Sequence, residues 1–452
     1  MPSSSQSPAT RPSELQRRLG LTDATVIGVG SMVGAGVFVA FAPAAAHAGS
    51  WLLAAVVLAA VVAWCNATST AQLAARYPSS GGTYVYANQR LGAWPGFVAG
   101  WSFVTGKTAS AAAMSMTFGL YVAGLLDVAG LLDALGLAGA QNTPLWATVF
   151  AVVGILTLTG INLLGVTRTA TVTKVLVGCV LTVLLSLGVA MAVVVGNPSN
   201  GAGQATSPEP GSLWGVFPAA ALLFFAFAGY ARIATMGEEV RAPQRTIPRA
   251  ILGALSLTLV LYLVLGALLL AVVGPAALAD SDAPMLTAVH ALGLSHGLTS
   301  ATATAVTVAA ALGTLGALLA LIAGISRTSL AMARSRDLPS PLTAVSGRGV
   351  PWVSELTTAV LVIALVLLTD VYTVIGFSSF GVLVYYALAN LSALTLGDRP
   401  WWAPRVVNIV GLVGCLALAF SLPWTSVVTM VVVLALGILG RALYRALRPA
   451  RH

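Results

Sequence analysis

Apolar stretches of bilayer length recur along almost the entire chain. They fall at roughly 24–47, 50–73, 94–123, 143–163, 171–195, 214–237, 250–273, 299–325, 353–369, 372–396, 405–421 and 423–441, with mostly short connections between them. A helix needs about 20 apolar residues to cross a hydrocarbon core. Inside lipid no water pairs with a bare N–H or C=O, so each stretch must satisfy its own backbone, as a helix does. Composition agrees: 58% of the 452 residues are hydrophobic and 8% are charged, too apolar for a soluble globular protein. The expected fold is an all-α integral membrane protein with about twelve transmembrane helices. The first 20 residues are polar (Ser3, Ser4, Ser5, Arg11, Arg17, Arg18) and lack the apolar core of a secretory signal, so the first stretch is expected to remain as a span.

A formal net charge of +9 would suit a nucleic-acid binder, but the charges are sorted by side. Arg76, Arg90, Arg168, Lys174, Arg241, Arg245, Arg249, Arg327, Arg334, Arg336 and Arg348 fall on one side, with Arg399, Arg405, Arg441, Arg445, Arg448 and Arg451 in the last loop and tail. The opposite loops carry Asp127, Asp133, Glu209, Asp280, Asp282 and Asp370, and no Lys or Arg. The positive-inside bias then puts both termini in the cytoplasm. Basicity here is topology, and no nucleic-acid partner is implied. Cys65, Cys179 and Cys415 fall singly in apolar stretches, without the spacing of a metal site, so no metal or cofactor is expected. His290 and His296 lie in or near an outer loop and read as solvated. The Asn66-Ala67-Thr68 sequon sits inside a span and is not an acceptor site.

One membrane domain occupies about 21–441, between tails at 1–20 and 442–452. A Gly/Pro/Ser-rich connection at 196–212 joins two halves, about 21–196 and 213–396, and two extra helices follow at about 403–441. The first helix of each half is interrupted near mid-membrane. Residues 28–38 read Gly-Val-Gly-Ser-Met-Val-Gly-Ala-Gly-Val-Phe, and residues 224–235 read Phe-Phe-Ala-Phe-Ala-Gly-Tyr-Ala-Arg-Ile-Ala-Thr around Gly229. Irregular backbone at that depth is tolerated only where it is buried in protein or lines a cavity. Matching interruptions in two halves point to a substrate site between inverted repeats. The alternative for the glycines is close helix packing.

Dipoles decide what such breaks can bind. The half-helix starting near Gly36 aims its N-terminus at the interruption and offers the N–H groups of Gly34, Ala35 and Gly36 to an anion. The half-helix before it leaves carbonyls, including Met32, and the sixth span leaves those near Phe225 and Ala228. A ligand with a carboxylate beside an ammonium fits that pattern. An α-amino acid is such a ligand.

The motifs extend well beyond the breaks. Gly34-Ala35-Gly36-Val37-Phe38 is followed by Arg76-Tyr77-Pro78 with Gly81-Gly82-Thr83-Tyr84-Val85-Tyr86, and by Asn162-Leu163-Leu164-Gly165-Val166. Gly237-Glu238-Glu239-Val240 with Pro243 and Ile247-Pro248-Arg249 comes next, then Ser326-Arg327 with Ala331-Met332-Ala333-Arg334 and Leu338-Pro339. In this order the chain resembles amino acid permeases of the amino acid–polyamine–organocation superfamily. The resemblance implies a twelve-helix fold with five-plus-five inverted repeats and broken helices 1 and 6, working by alternating access. It implies a carboxylate cradle at Gly34, Ala35 and Gly36, ammonium acceptors at the carbonyls of Met32, Phe225 and Ala228, and an aromatic gate at Phe225. Two departures stand out. Where many relatives carry an acidic residue past the sixth-helix break, this chain has Ala231 and Arg232, which argues against a cationic side chain as substrate. The fifth-span lysine of many proton-coupled relatives falls at about Val180; Lys174 lies nearer the membrane surface and reads as a snorkelling charge.

Two cations remain in the expected membrane interior, Lys107 and Arg232. An ionisable group there is a functional hypothesis by default. Lys107 follows Trp94 by 13 residues, about 20 Å of helix, and so lies near mid-bilayer. It can shuttle a proton in place of the missing fifth-span lysine, draw an anionic group, or be held by carbonyls of the broken helices. Arg232 cannot lose its charge, so it needs water, carbonyls, or Glu238 or Glu239 below it; it reads as an inner-gate or structural residue first and a substrate contact second. Tyr230, beside the same interruption, is the third candidate for coupling or gating. No nucleophile–base pair or metal cluster suggests an enzyme, and a two-half chain does not need the symmetric rings of a channel. The expected function is a secondary active transporter of amino acids, neutral rather than cationic, with proton coupling an open question. Another organic amine (polyamine or nucleobase-like) and amino acid exchange without ion coupling are the alternatives. The expected surroundings are the lipid bilayer of a bacterial plasma membrane.

Overall fold

The computed structural model of the protein describes residues 19–78, 81–128, 143–164, 169–197, 211–234 and 240–446. All twelve apolar stretches are helical. The first is built from α1 (Leu21–Met32), α2 (Ala35–Val39) and α3 (Phe41–Ala48). Gly49 then turns the chain at φ 53°, a conformation that favours glycine, into α4 (Leu52–Arg76). A short helix, α5 (Thr83–Leu91), starts from Gly82 at φ 55° and leads into α6 (Ala93–Val128), α7 (Thr143–Leu163) and α8 (Thr169–Val195). The second half runs through α9 (Val216–Phe227), a 3-10 turn at Ala228–Tyr230, α10 (Ala231–Ala234) and α11 (Pro243–Val272). Two short helices, α12 (Pro275–Ala279) and α13 (Pro284–Ala291), precede α14 (His296–Arg334), α15 (Trp352–Leu368) and α16 (Val371–Leu394). The chain ends in α17 (Arg405–Ser421) and α18 (Trp424–Ala446).

Helix boundaries depart from the hydropathy pattern where charge is tolerated outside lipid. The apolar stretch at 299–325 sits in a 39-residue helix, about 58 Å long at 1.5 Å per residue, which carries on through Arg327 to Arg334. The last helix likewise passes the expected boundary at 441 and ends at Ala446. The start of α16 is fixed by its cap. Asp370 accepts from the amides of Tyr372 and Thr373, both at 2.9 Å, and from the Thr373 hydroxyl at 2.5 Å. Burial alone would raise the pKa of this carboxyl. The Thr373 hydroxyl and the two amides outweigh it and hold the group below its usual range.

The first four spans of each half pack against their counterparts in the other. α4 lies along α11, α6 along α14, and the segmented first span along α9, its turn and α10. That is the arrangement an inverted repeat requires. It leaves two packed units, the first, second, sixth and seventh spans in one, and α6, α7, α14 and α15 in the other. Between α4, α16 and α17 runs a buried polar network. Asn390 donates to Asn66 Oδ1 at 2.6 Å and accepts from Ser69 at 2.6 Å, while Cys415 points its thiol at Asn66 from 3.2 Å. Asn66 is fully buried, so the sequon is consumed by packing.

Several expectations fall outside the described residues: Arg168, Glu238 and Glu239, the connection at 198–210, and the tails at 1–18 and 447–452. Of the others, Lys174 does more than snorkel, since it forms an ion pair with Asp23 of α1. His290 and His296 are exposed, as solvated histidines would be. Arg441, expected with the charges of the last loop and tail, is only 3% exposed. Its guanidinium contacts Asp337 at 2.6 Å and lies over the rings of Trp94 and Phe97, 4.6 and 4.8 Å from their centroids. Asp337 also accepts from the Tyr84 hydroxyl at 2.9 Å and meets Arg445 at 3.3 Å. Hydropathy could not show this, because the partners come from four separate segments.

Removing one member of a buried ion pair strands the other in a poorly solvated place. Arg441→Ala is expected to cost about 3 kcal/mol. The loss should read as a lowered Tm of the purified protein in detergent, and Arg441→Lys, which has no planar fork to spread over two rings, should recover only part of it.

Candidate functional site

The two interruptions meet. α1 ends at Met32, Val33 and Gly34 are non-helical, and α2 starts at Ala35; Ala40 keeps helical angles, so the half-helix continues into α3. On the other side, α9 gives way to the 3-10 turn at Ala228–Tyr230 before α10 resumes. Glycine makes the approach possible. A Cβ on Gly36 would sit 2.5 Å from both Cα and Cβ of Ala226, and one on Gly229 would strike the Ser31 carbonyl and the Met32 amide. These two glycines therefore serve close packing of one broken helix on the other, the alternative reading of the glycine run. Backbone rather than side chains fills the crossing.

A cleft opens beside the crossing. It leaves about 40 Å³ of water-accessible space. Its walls are mostly apolar: Phe103 and Met114 from α6, Phe225 from α9, Ala317 and Leu321 from α14. Lys107 and Arg232 line it too, and no Asp or Glu is among the lining residues. The Arg232 guanidinium lies beside Gly324, where an added Cβ would sit 3.9 Å from its nitrogen, an ordinary contact. Of the sequence candidates, Lys107, Phe225, Ala228 and Arg232 share this cleft. Tyr230 is fully buried behind it, its ring stacked on that of Tyr386 with centroids 5.1 Å apart. Met32, Gly34 and Gly36 belong to the adjoining break rather than to the cleft wall.

The freed backbone groups are less free than the dipole argument expects. The Gly34 N–H turns back onto the Met32 carbonyl at 2.9 Å. That carbonyl also accepts from the Tyr262 hydroxyl at 2.7 Å, and a longer contact, 3.4 Å, takes the same hydroxyl to Ala226. The Phe225 carbonyl accepts the Ala228 N–H. The Ala228 carbonyl accepts from Lys107 Nζ at 3.1 Å and from the Tyr386 hydroxyl at 3.3 Å. The physical reason is the one that made the breaks conspicuous. An orphan carbonyl in an apolar interior costs about 1–3 kcal/mol, so the fold recruits side-chain donors. Ala35 and Gly36, opening a half-helix, have no acceptor for their N–H groups within it.

Tyr262 and Tyr386 were not legible as site residues. Each sits in a long apolar helix, and the available signal was only that a buried tyrosine hydroxyl needs a partner. Which carbonyl it meets depends on the crossing of three helices. Among the described residues no group of His, Cys, Asp and Glu could hold a metal ion.

The model of the amino acid permease family matches residues 19–439 of the chain. An uncharacterized transporter of Mycobacterium tuberculosis is 48% identical over 450 residues, covering 98% of this chain and 95% of that one. The branched-chain amino acid permease BcaP of Bacillus subtilis is 27% identical over 447 residues, covering 95% and 93%. The vacuolar cationic amino acid transporter 4 of Arabidopsis thaliana is 30% identical over 399 residues, covering 86% of this chain and 64% of the plant protein. Among solved structures, MhsT in complex with L-phenylalanine superposes with a TM-score of 0.65 at 15% identity, covering 92% of this chain and all of that one. That likeness concerns the fold.

Packing at the crossing sets a graded expectation. Tyr262→Phe removes one hydrogen bond to the break and should cost about 1 kcal/mol. Gly36→Val forces a branched side chain into backbone and should cost about 3 kcal/mol or prevent folding. Thermal unfolding in detergent should place Tyr262→Phe between the parent and Gly36→Val.

Proposed function

Because this chain belongs to the amino acid permease family of the amino acid–polyamine–organocation superfamily, we propose that it carries neutral amino acids across a bacterial plasma membrane by alternating access. The observation that carries this reading is the crossing of two interrupted spans beside a small apolar cleft. The amides of Ala35 and Gly36, with Gly34 before them, form the cradle for the substrate carboxylate at the positive end of a half-helix. The carbonyls of Met32, Phe225 and Ala228, which hold internal donors in this structure, take the substrate ammonium by giving a donor up. The side chain enters among Phe103, Met114, Phe225, Ala317 and Leu321, and Phe225 closes over it.

A mostly apolar wall with two cations, and no carboxylate among its described residues, disfavours a cationic side chain, whose buried charge those residues would not compensate. The name of the Bacillus subtilis relative supports branched-chain substrates; that of the Arabidopsis thaliana relative points the other way, so arginine belongs in the test. Lys107 takes the role of coupling residue, and Arg232 and Tyr230 gate the cleft on the side of α10. Both termini lie in the cytoplasm, on the face where the Arg residues gather.

In proteoliposomes, the purified protein should take up radiolabelled L-leucine and L-phenylalanine, with L-arginine at tenfold excess competing poorly. Strong uptake of L-arginine or spermidine in preference to L-leucine would replace the neutral reading. For topology, green fluorescent protein fused at the C-terminus should fluoresce in bacteria, while alkaline phosphatase fused there should stay inactive.

A further inference from the structure

One acceptor of the proposed receptor already holds an ammonium group. Lys107 reaches from the middle of α6 to the Ala228 carbonyl, 3.1 Å away, and is 5% exposed. The Tyr386 hydroxyl shares that carbonyl at 3.3 Å. A carbonyl oxygen has two lone pairs, so these two donors fill it. A lysine side chain and an α-amino acid present the same cationic group to such an oxygen. Resting on the reading of the cleft as an amino acid site, we infer that the substrate's ammonium and the protonated Lys107 are alternative occupants of the Ala228 carbonyl, so that the carrier exchanges amino acid for a proton.

The surroundings decide which group gives way. α11 presents Tyr262, whose hydroxyl is engaged at Met32, and α16 presents Tyr386 with Tyr230 stacked on it. α14 lines the cleft with Ala317, Ala320, Leu321 and Gly324, α1 with Ser31, and α9 with Phe225, none of which titrates. Arg232 of α10 adds positive charge and cannot release it. Among the described residues no Asp or Glu lines the cleft to neutralise a second ammonium. Two cations at one carbonyl repel, and of the three cationic groups present with substrate bound, Lys107 alone can shed a proton while the substrate remains a zwitterion. The balance is simple. Amino acid enters with its ammonium intact, the N–H bond of Lys107 breaks, and one proton leaves to water in the cleft. When the amino acid departs, neutral Lys107 takes a proton from water and reseats on Ala228. Proton and amino acid therefore occupy the carrier in turn and cross the membrane in opposite directions.

The test uses the full chain in lipid nanodiscs, with L-leucine as probe and L-phenylalanine as a second. In weak buffer with a pH indicator, L-leucine binding should release up to one proton per molecule bound. Its apparent Kd should rise about tenfold for each pH unit lowered in the range where Lys107 is protonated. Lys107→Gln and Lys107→Met should release no proton and bind within about twofold of a constant Kd across the same range, as expected without a competing proton. In liposomes loaded with L-leucine, an inward proton gradient should accelerate efflux by the unmutated protein. Binding without proton release, proton uptake on binding, or a pH dependence that survives in Lys107→Gln each overturns the exchange while leaving the amino acid reading intact. Tighter binding of L-glutamate than of L-leucine, lost in Lys107→Gln, overturns it too, by making Lys107 an anion contact. If neither L-leucine nor L-phenylalanine binds at any pH, the amino acid reading falls and this inference with it. Should both variants fail to fold, proton release by the unmutated protein still decides.

Discussion

A broken helix inside a bilayer has no water to complete its backbone, and the architecture around the two breaks follows from that. Every carbonyl that the interruptions expose at Met32, Phe225 and Ala228 has found a donor inside the protein. Two of those donors are tyrosines from neighbouring spans and one is a lysine. The glycines at 36 and 229 let the breaks come close enough for one set of neighbours to serve both. In the proposed receptor, satisfying the backbone and building the recognition site are the same problem. A substrate that binds at this point must match what the protein has already supplied.

Much of this was legible in the sequence, because spans and interruptions are local. Hydropathy alone marks twelve helical stretches, and paired glycine-containing interruptions mark the two that cross. The state of the exposed groups was not legible. Whether Tyr262 meets Met32, or Lys107 meets Ala228, depends on residues separated by more than a hundred positions in the chain. Arg441 shows the same limit from the other direction. Its position in the sequence suggests a solvated tail, whereas two aromatic rings of α6 and a carboxylate beyond α14 enclose it. Local charge counting gives topology, and tertiary contacts decide which charges are buried.

The two buried cations also differ in kind. Arg441 has a carboxylate at 2.6 Å and rings beside its plane, so its charge is paired. Lys107 has a neutral carbonyl and an apolar cleft. A compensated charge holds a fold together, and an undercompensated one can change its state at modest cost. The chain places the first at the edge of the membrane domain and the second where the breaks meet.

The placement of ties relative to the two packed units carries the argument further. Asp337, Arg441, Trp94 and Phe97 join α18 to α6 and to the end of α14, within or beside a single unit. Tyr262 joins α11 to both broken spans, all of them in the other. Lys107 belongs to neither class, because it reaches from α6 in one unit to Ala228 in the other. Bonds inside a unit can be strong without restricting how the units lie against each other. A bond between them restricts exactly that relation, and this one ends on the oxygen at the centre of the cleft. Its making and breaking would be felt by both the occupant of the cleft and the fit of the two units.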